Sequence, residues 1–423
     1  MNKYQTVFRS ALLGSALAIV ALAPAMGAEG SGADLKRERA LHGTALPAAH
    51  AGVHAASAGN ASTRAAAKAT YTVLYKFQGG SDGSGSGANV ALDSAGNIYG
   101  TTDFGGANFD GVVFKLAPKG KETLLHTFSG ADGSQPDGAV IVMSNGDLYG
   151  STSSGGASGN GVLFKLSAKG KYKVLHSLTA TDGADVRGNL YRDKSGNLYG
   201  TALFSGAGSS GTVFKYGADG TFTVLHAFAA DGSDGQYPEH GVVADKAGNL
   251  YGVTAFGGAS GEGTVFKIDT GGNFTTLYSF TDGADGGFLY GGLAIDKDGN
   301  LYGSTVDGGA SNAGTVFELS PAGTLTTLYN FVGGSNVGGP EGDMRLNGKK
   351  LDSTAINGGD PSCQCGGVYE VSLTGKEKVL HAYVGSDGSG YSAGLSSALG
   401  ILYGTTQAGG VNENGVVYSV STK

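Results

Sequence analysis

The chain contains no tryptophan, two cysteines and, beyond residue 70, three arginines. Each scarcity excludes something. Cys363 and Cys365 alone are too few for a structural zinc site, which takes four ligands. In an exported chain they can either close a small local disulfide, if the backbone turns between them, or stay apart; both alternatives remain open. Arg187, Arg192 and Arg345 leave no set of guanidinium groups from several repeats to clamp a carboxylate substrate. The absence of tryptophan removes the side chain that sugar sites favour most. No HExxH pair, phosphate loop with lysine or EF-hand loop occurs. With a net charge of −7 and no basic stripe, nucleic acid is excluded as a partner. No stretch carries a helical period.

What is present is repetition. The motif LYGTT and its variants place tyrosine at Tyr99, Tyr149, Tyr199, Tyr251, Tyr302 and Tyr403, with a degenerate copy around Leu351, a period of about 51 residues. A second motif, GTVFKL, centres on Phe114, Phe164, Phe214, Phe266, Phe317, Tyr369 and Tyr418. A third, of the type TLLHTF, ends at Phe128, Leu178, Phe228, Phe280, Phe331 and Tyr383, and an extra copy, YTVLYKF, precedes everything else at Tyr71 to Phe77. Each motif therefore occurs seven times, but out of phase.

Within a unit, alternating apolar and polar segments separated by glycine-rich turns read as four short strands. In the fifth unit these are GGLAID, LYGST, GTVFEL and TLTTLYNF. The 79 glycines supply the positive φ angles that such tight turns need. Seven antiparallel four-stranded units point to an all-β, seven-bladed β-propeller, because radial closure protects sheet edges. The phase shift predicts how the ring closes: the N-terminal strand at Tyr71 to Phe77 completes the last blade beside GVVYSV. An open solenoid gives no reason for that exchange.

Three domains follow. Residues 1–28 read as a signal peptide, with Lys3 and Arg9 before an apolar stretch and small residues at its end. Residues 29–70 form an Ala/Gly/Ser-rich linker too poor in apolar residues to fold. The propeller occupies residues 71–423. The chain is thus expected to be exported, extracellular or periplasmic, with no transmembrane segment in the mature form, and to act as a monomer.

The Tyr of LYG and the Phe of VFK are expected to fill the space between blades. His126, His176, His226 and His381 alternate with Tyr75, Tyr278 and Tyr329 at one strand position, so they read as packing rather than chemistry. In such blades, the inter-blade connections and the loops between second and third strands share one face. That face collects Asp103, Asp110, Asp137, Asp185, Glu239, Glu262, Asp307 and Glu341, opposed only by Arg187. Lysines, among them Lys119, Lys169, Lys246, Lys297 and Lys376, gather on the other face.

Candidate sites lie on the acidic face. Asp82, Asp132, Asp182, Asp231, Asp282 and Asp387 recur in Asp-Gly turns, and each is either a turn residue or a ligand of Ca2+, the one metal cofactor the pattern admits. Phe104, Phe204, Tyr237, Phe256, Phe288, Tyr290 and Tyr391, interspersed with hydroxyls such as Thr101, Thr201, Ser304 and Thr405, fit a surface that stacks on an extracellular glycan; a protein ligand is the alternative. His240, beside Glu239 in QYPEHG, is the non-repetitive histidine of this face and the candidate general base.

Taken in order, GNLYGTT, GG, GTVFKL and LHxF, as in Gly196 to Phe228 and Gly248 to Phe280, resemble the GloVer tandem-repeat extracellular proteins. The resemblance covers Tyr71 to Lys423 and departs in the sixth unit, where LDSTA replaces LYGTT. It implies export and a repeat fold, and it transfers no catalytic residue. DxxGNLYG also looks like the turn of NHL-type propellers. The expected function is an exported, non-catalytic binding or scaffold module for a glycan or a divalent cation. The competing class is a calcium-dependent hydrolase or lyase on the acidic face, and the two are separated by whether carboxylates of several blades converge at the axis.

Overall fold

The structure is a computed structural model, and it describes residues 69–421. The expected signal peptide, nearly all of the expected linker and the last two residues lie outside the described residues. Strand β1 (Thr70–Lys76) is followed by the first complete blade, β2 (Ala91–Leu92), β3 (Ile98–Thr102), β4 (Val112–Leu116) and β5 (Glu122–Thr127). The group recurs as β6 to β9 (Ile141–Val142, Leu148–Ser151, Val162–Leu166, Tyr172–Ser177) and β10 to β13 (Tyr191–Arg192, Leu198–Ala202, Thr212–Tyr216, Phe222–Ala227). It continues as β14 to β17 (Val243–Ala244, Leu250–Thr254, Thr264–Ile268, Phe274–Ser279) and β18 to β21 (Ala294–Ile295, Leu301–Thr305, Thr315–Leu319, Leu325–Asn330). The sixth blade holds β22 to β26 (Val337–Pro340, Arg345–Asn347, Lys350–Gly358, Gly367–Ser372, Glu377–Ala382), and β27 to β29 (Ser396–Ala398, Ile401–Thr406, Val416–Ser421) begin the seventh.

These are the seven antiparallel blades of a β-propeller, and β1 completes the last one. It pairs with β29 from Thr70 opposite Ser421 to Lys76 opposite Val416. The sixth blade departs from the pattern by one strand: β22 lies on the prolonged end of β24, where Asn336-Val337 stands in place of Asp-Gly and the chain runs on extended.

The motifs explain the packing. Gly100 lies directly opposite Phe114, and a Cβ on it would meet the ring at 2.6 Å, so the glycine of LYG makes room for the phenylalanine of VFK. The phenylalanines Phe114, Phe164, Phe214, Phe266 and Phe317 are buried. Seven hydrophobic clusters each combine residues of two neighbouring blades, one joining Phe77 and Val417 to Val90, Ile98 and Phe114 across the closure. Burying a large side chain there contributes about 1.5–3 kcal/mol. The motif tyrosines also cap the turns of the lysine-bearing face: Tyr99 and Asn97 both donate to Asp93, and the arrangement recurs at Asp193, Asp245 and Asp296.

Candidate functional site: the propeller axis

The innermost strand of each blade is entered through a repeat position two residues upstream, which reads Asn89, Ala139, Asn189, Gly241, Gly292, Asp343 and Gly394. Closure of the ring brings these positions together at its centre. Asp343 Oδ2 accepts from Asn89 Nδ2 at 2.9 Å and from Asn189 Nδ2 at 2.6 Å, while Oδ1 accepts the Gly292 amide at 2.8 Å. Asn189 Oδ1 in turn accepts the Ala139 amide. The small residues are required: a Cβ on Gly292 would fall on Asp343 Oδ1, and one on Gly241 on the Asn189 carbonyl. Four blades thus knot their entry segments on one carboxylate.

Two residues further upstream a second ring reads Gly87, Asp137, Arg187, Glu239, Tyr290, Glu341 and Ser392. Arg187 donates to both oxygens of Asp185 at 2.9 and 2.8 Å and to Glu239 at 3.3 Å, with Asp137 at 4.0 Å. Burial disfavours its charge, but these three carboxylates hold the guanidinium well above its usual range. Asp103, from the loop after β3, is buried beside Asp137 and accepts from Gln407 at 3.0 Å. Burial first, and then Asp137, push Asp103 far above the carboxylate range.

His240 occupies a position that is glycine or alanine in the other six units. It is buried, with Nδ1 2.8 Å from Asp343 Oδ1 but too far off line for a hydrogen bond, so that contact is electrostatic. Nε2 lies 3.3 Å from the Tyr391 hydroxyl. Burial opposes the imidazolium, yet Asp343, with Glu239 and Glu341, more than offsets it and raises His240 above its ordinary value. Glu341 is 7% exposed and makes no hydrogen bond or ion pair among the described residues. Burial, reinforced by Glu239 and Asp307 against His240, pushes it up to about 8.

The candidate residues divide between this axis and the rim. Glu239, His240 and Tyr391 are axial. Phe204, Tyr237, Phe256 and Phe288 form a chain of edge-to-face contacts, with centroids 5.5, 5.8 and 5.2 Å apart, and Tyr290 packs on Phe256. Phe256, Phe288 and Tyr290 are buried in that arc, whereas Phe104, Phe204, Tyr237 and Tyr391 are half-buried. Tyr391 lies over Gly87, where a Cβ would stand 3.0 Å from its ring.

The hydroxyls expected beside a glycan are buried and committed to the fold. Thr101 donates to Gly138 O, Thr201 to His240 O and Thr405 to Ala88 O, tying each blade to the entry segment of the next. Asp82, Asp132, Asp182 and Asp387 sit at the rim, each capping a turn and bonded to the Tyr or His of the outermost strand: Asp132 accepts His126 Nε2 and the Ser129 amide. In the two intervening connections this position belongs to Asp234 and Asp285 instead of Asp231 and Asp282. Among the described residues no three His, Cys, Asp or Glu are grouped to hold a metal. The rim histidines also stack on aromatics of the next blade, His126 on Tyr172 at 3.8 Å, as packing residues do. Cys363 and Cys365 are joined by a disulfide around Gln364, which adopts a left-handed conformation.

Sequence reasoning overlooked Asp343, Asn89 and Asn189. A signal was available: the position they share holds only Gly, Ala, Asn or Asp in all seven units, the mark of a place where only small or hydrogen-bonding side chains fit.

The fold and this site define an all-β repeat protein, a seven-bladed propeller whose inter-blade loops converge on an acidic axial cluster. By sequence the chain belongs to the Gloeobacter/Verrucomicrobia repeat family, whose model matches residues 30–247, 170–365 and 240–423. No curated protein matches it in sequence. Among solved structures it is similar in fold to virginiamycin B lyase from Staphylococcus aureus, at 12% identity and a TM-score of 0.57, covering 84% of this chain and 99% of that one. It is also similar to the extracellular domain of BT4673 from B. thetaiotaomicron, described as a one component system, at 11% identity and a TM-score of 0.54, covering 82% of this chain and 39% of that one. At these identities the likeness concerns the fold. The described residues contain no helix long and apolar enough to cross a membrane.

Proposed function

We propose that this chain is an exported, non-catalytic binding module whose ligand, an extracellular glycan, docks on the loop face at the propeller axis. The observation that carries the reading is the convergence of Asp137, Arg187, Glu239, Glu341 and Tyr391, from different blades, on the loop face that also carries the half-buried rings of Phe204 and Tyr237. Charged acceptors and a guanidinium in fixed positions suit the hydroxyls of a sugar, and adjacent aromatic faces suit its apolar side. Export accords with the family's repeat and with a similar extracellular domain. Calcium stays a proposal for the Asp-Gly aspartates, where it would have to displace the bonds Asp132 and its counterparts already make. A glycan array probed with the whole chain tests the reading. Retention of a glycan, lost on Tyr391→Ala, is expected; no retention overturns it.

A second reading, a hydrolase or lyase, is favoured by that same convergence of carboxylates from several blades, the arrangement expected of an enzyme, and by His240, which is held between Asp343 and Tyr391 with Glu341 protonated nearby and so is able to move a proton. Cleavage of a retained glycan, abolished by His240→Asn, would replace binding by catalysis.

A further inference from the structure

Charge on the axis is unevenly settled. Arg187 is committed to Asp185 and Glu239, His240 to Asp343, and Asp343 is further saturated by two side-chain amides and a backbone amide. Asp137 faces Arg187 at 4.0 Å, and Asp103 accepts from Gln407. Glu341 is left over. It is more than nine-tenths buried, lies within the field of Glu239, His240, Asp307 and Tyr391, and takes no hydrogen bond or ion pair from any described residue. Of the two cations of this cluster, both already have partners. A buried carboxyl in this position is either kept neutral by a proton or neutralised by a cation brought from outside.

We propose that the axial site engages its ligand through a primary ammonium group, which pairs with Glu341 and the free side of the Glu239 carboxylate next to the Tyr391 ring. The inference rests on the glycan reading above, in which case the ligand class is an amino sugar with a free amine. An ammonium fits where a hydroxyl does not suffice, because three N–H donors on a unit charge answer two neighbouring carboxylates at once, and an aromatic ring alongside favours a cation further. Binding then carries a signature. Near pH 6.5 Glu341 holds a proton, and an incoming ammonium displaces it to solvent, so one proton leaves for each ligand bound. A neutral sugar accepting or donating hydrogen bonds at the protonated carboxyl releases none.

Isothermal titration of the full chain at pH 6.5, in two buffers of different ionisation enthalpy, reads that proton directly. The probes are glucosamine, N-acetylglucosamine, glucose and putrescine, against wild type and Glu341→Gln. Glutamine copies the shape and hydrogen bonding of the protonated acid, so the variant keeps the fold; its melting curve verifies this. The expected result is binding of glucosamine with close to one proton released, at least tenfold weaker binding and no release in Glu341→Gln, and weaker binding of the two neutral sugars. Neutral sugars that bind as tightly as glucosamine, without proton release, would overturn the ammonium and leave the glycan reading standing. Putrescine binding with proton release while every sugar fails would uphold the ammonium and overturn the glycan. Silence from all four probes overturns the proposal.

Discussion

The glycine of the LYG motif can be tested by adding a single methyl group. Gly100 sits in β3 opposite Phe114 of β4, and a Cβ there would stand 2.6, 2.9 and 3.4 Å from the Cζ, Cε1 and Cε2 atoms of the ring. Carbon atoms rest at about 3.5–4.0 Å, so the ring would have to retreat by about 1 Å. It has nowhere to go: Phe114 is buried, with the Phe77 ring 5.3 Å away, edge to face, and Val90, Ile98 and Val417 around it. Gly100→Ala is therefore expected to destabilise the protein by about 3 kcal/mol, the upper end of overpacking in a dense core. Urea unfolding would measure the loss. Phe114→Leu shortens the side chain and relieves the clash, so the double variant should be more stable than the sum of the singles predicts, with a coupling of about 1–3 kcal/mol. Gly159→Ala serves as a control of the opposite kind, since Gly159 adopts a left-handed φ of 76° with nothing within 4 Å of its added Cβ. It should lose only about 1 kcal/mol, from backbone strain. A Gly100→Ala loss under about 0.5 kcal/mol, or strict additivity with Phe114→Leu, would refute the account of the motif as a ring-shaped gap.

Glu341 also sets a pH dependence. Its carboxyl titrates near 4.5 in the unfolded chain and at about 8 when folded. Between these values the folded state keeps a proton that unfolding releases, so its contribution to stability is fully present below pH 4.5 and is lost as pH rises toward 8, by roughly 1 kcal/mol per pH unit. His126 and His226, lowered by burial, act in the opposite sense as pH falls below their unfolded value. Glu341→Gln isolates the glutamate: its stability advantage over wild type should grow between pH 6 and 8, and a constant difference would contradict the burial of an unpaired acid. Closure by the N-terminal strand has its own test. Phe77, fully buried against the first blade, should lose about 3–5 kcal/mol on truncation to alanine, as much as Phe228 in the middle of the chain. A loss below about 1 kcal/mol would make β1 an accessory strand rather than the lock of the ring.

Most of the architecture was legible because repetition turns weak local signals into strong ones. One strand such as TVFKL is ambiguous; seven in register with LYG and LHTF define a blade and its neighbours. The out-of-phase copy at Tyr71 to Phe77 announced the closure, and pairing of Thr70 with Ser421 carries it out. The rim histidines were readable as packing because tyrosine replaces them in other units, and each is found stacked and bonded to a turn aspartate. The sixth blade was legible only as an irregularity, since without Asp-Gly at Asn336 nothing local announced the strand Val337–Pro340.

The axial site was legible only in part. Glu239, His240 and Tyr391 stood out by chemistry, but sequence distance hid their relation: Tyr391 meets a histidine 151 positions earlier, and Asn89 meets a carboxylate 254 positions later. Amino-acid pattern by itself determined the strands, the turns, the blade number and the face on which each loop emerges, because all of these are set within one repeat or by comparison of successive repeats. Which carboxylates are paired, which carries a proton and which is left without a partner were decided by tertiary structure alone, because those properties depend on burial and on charges contributed across the ring by blades far apart in the chain.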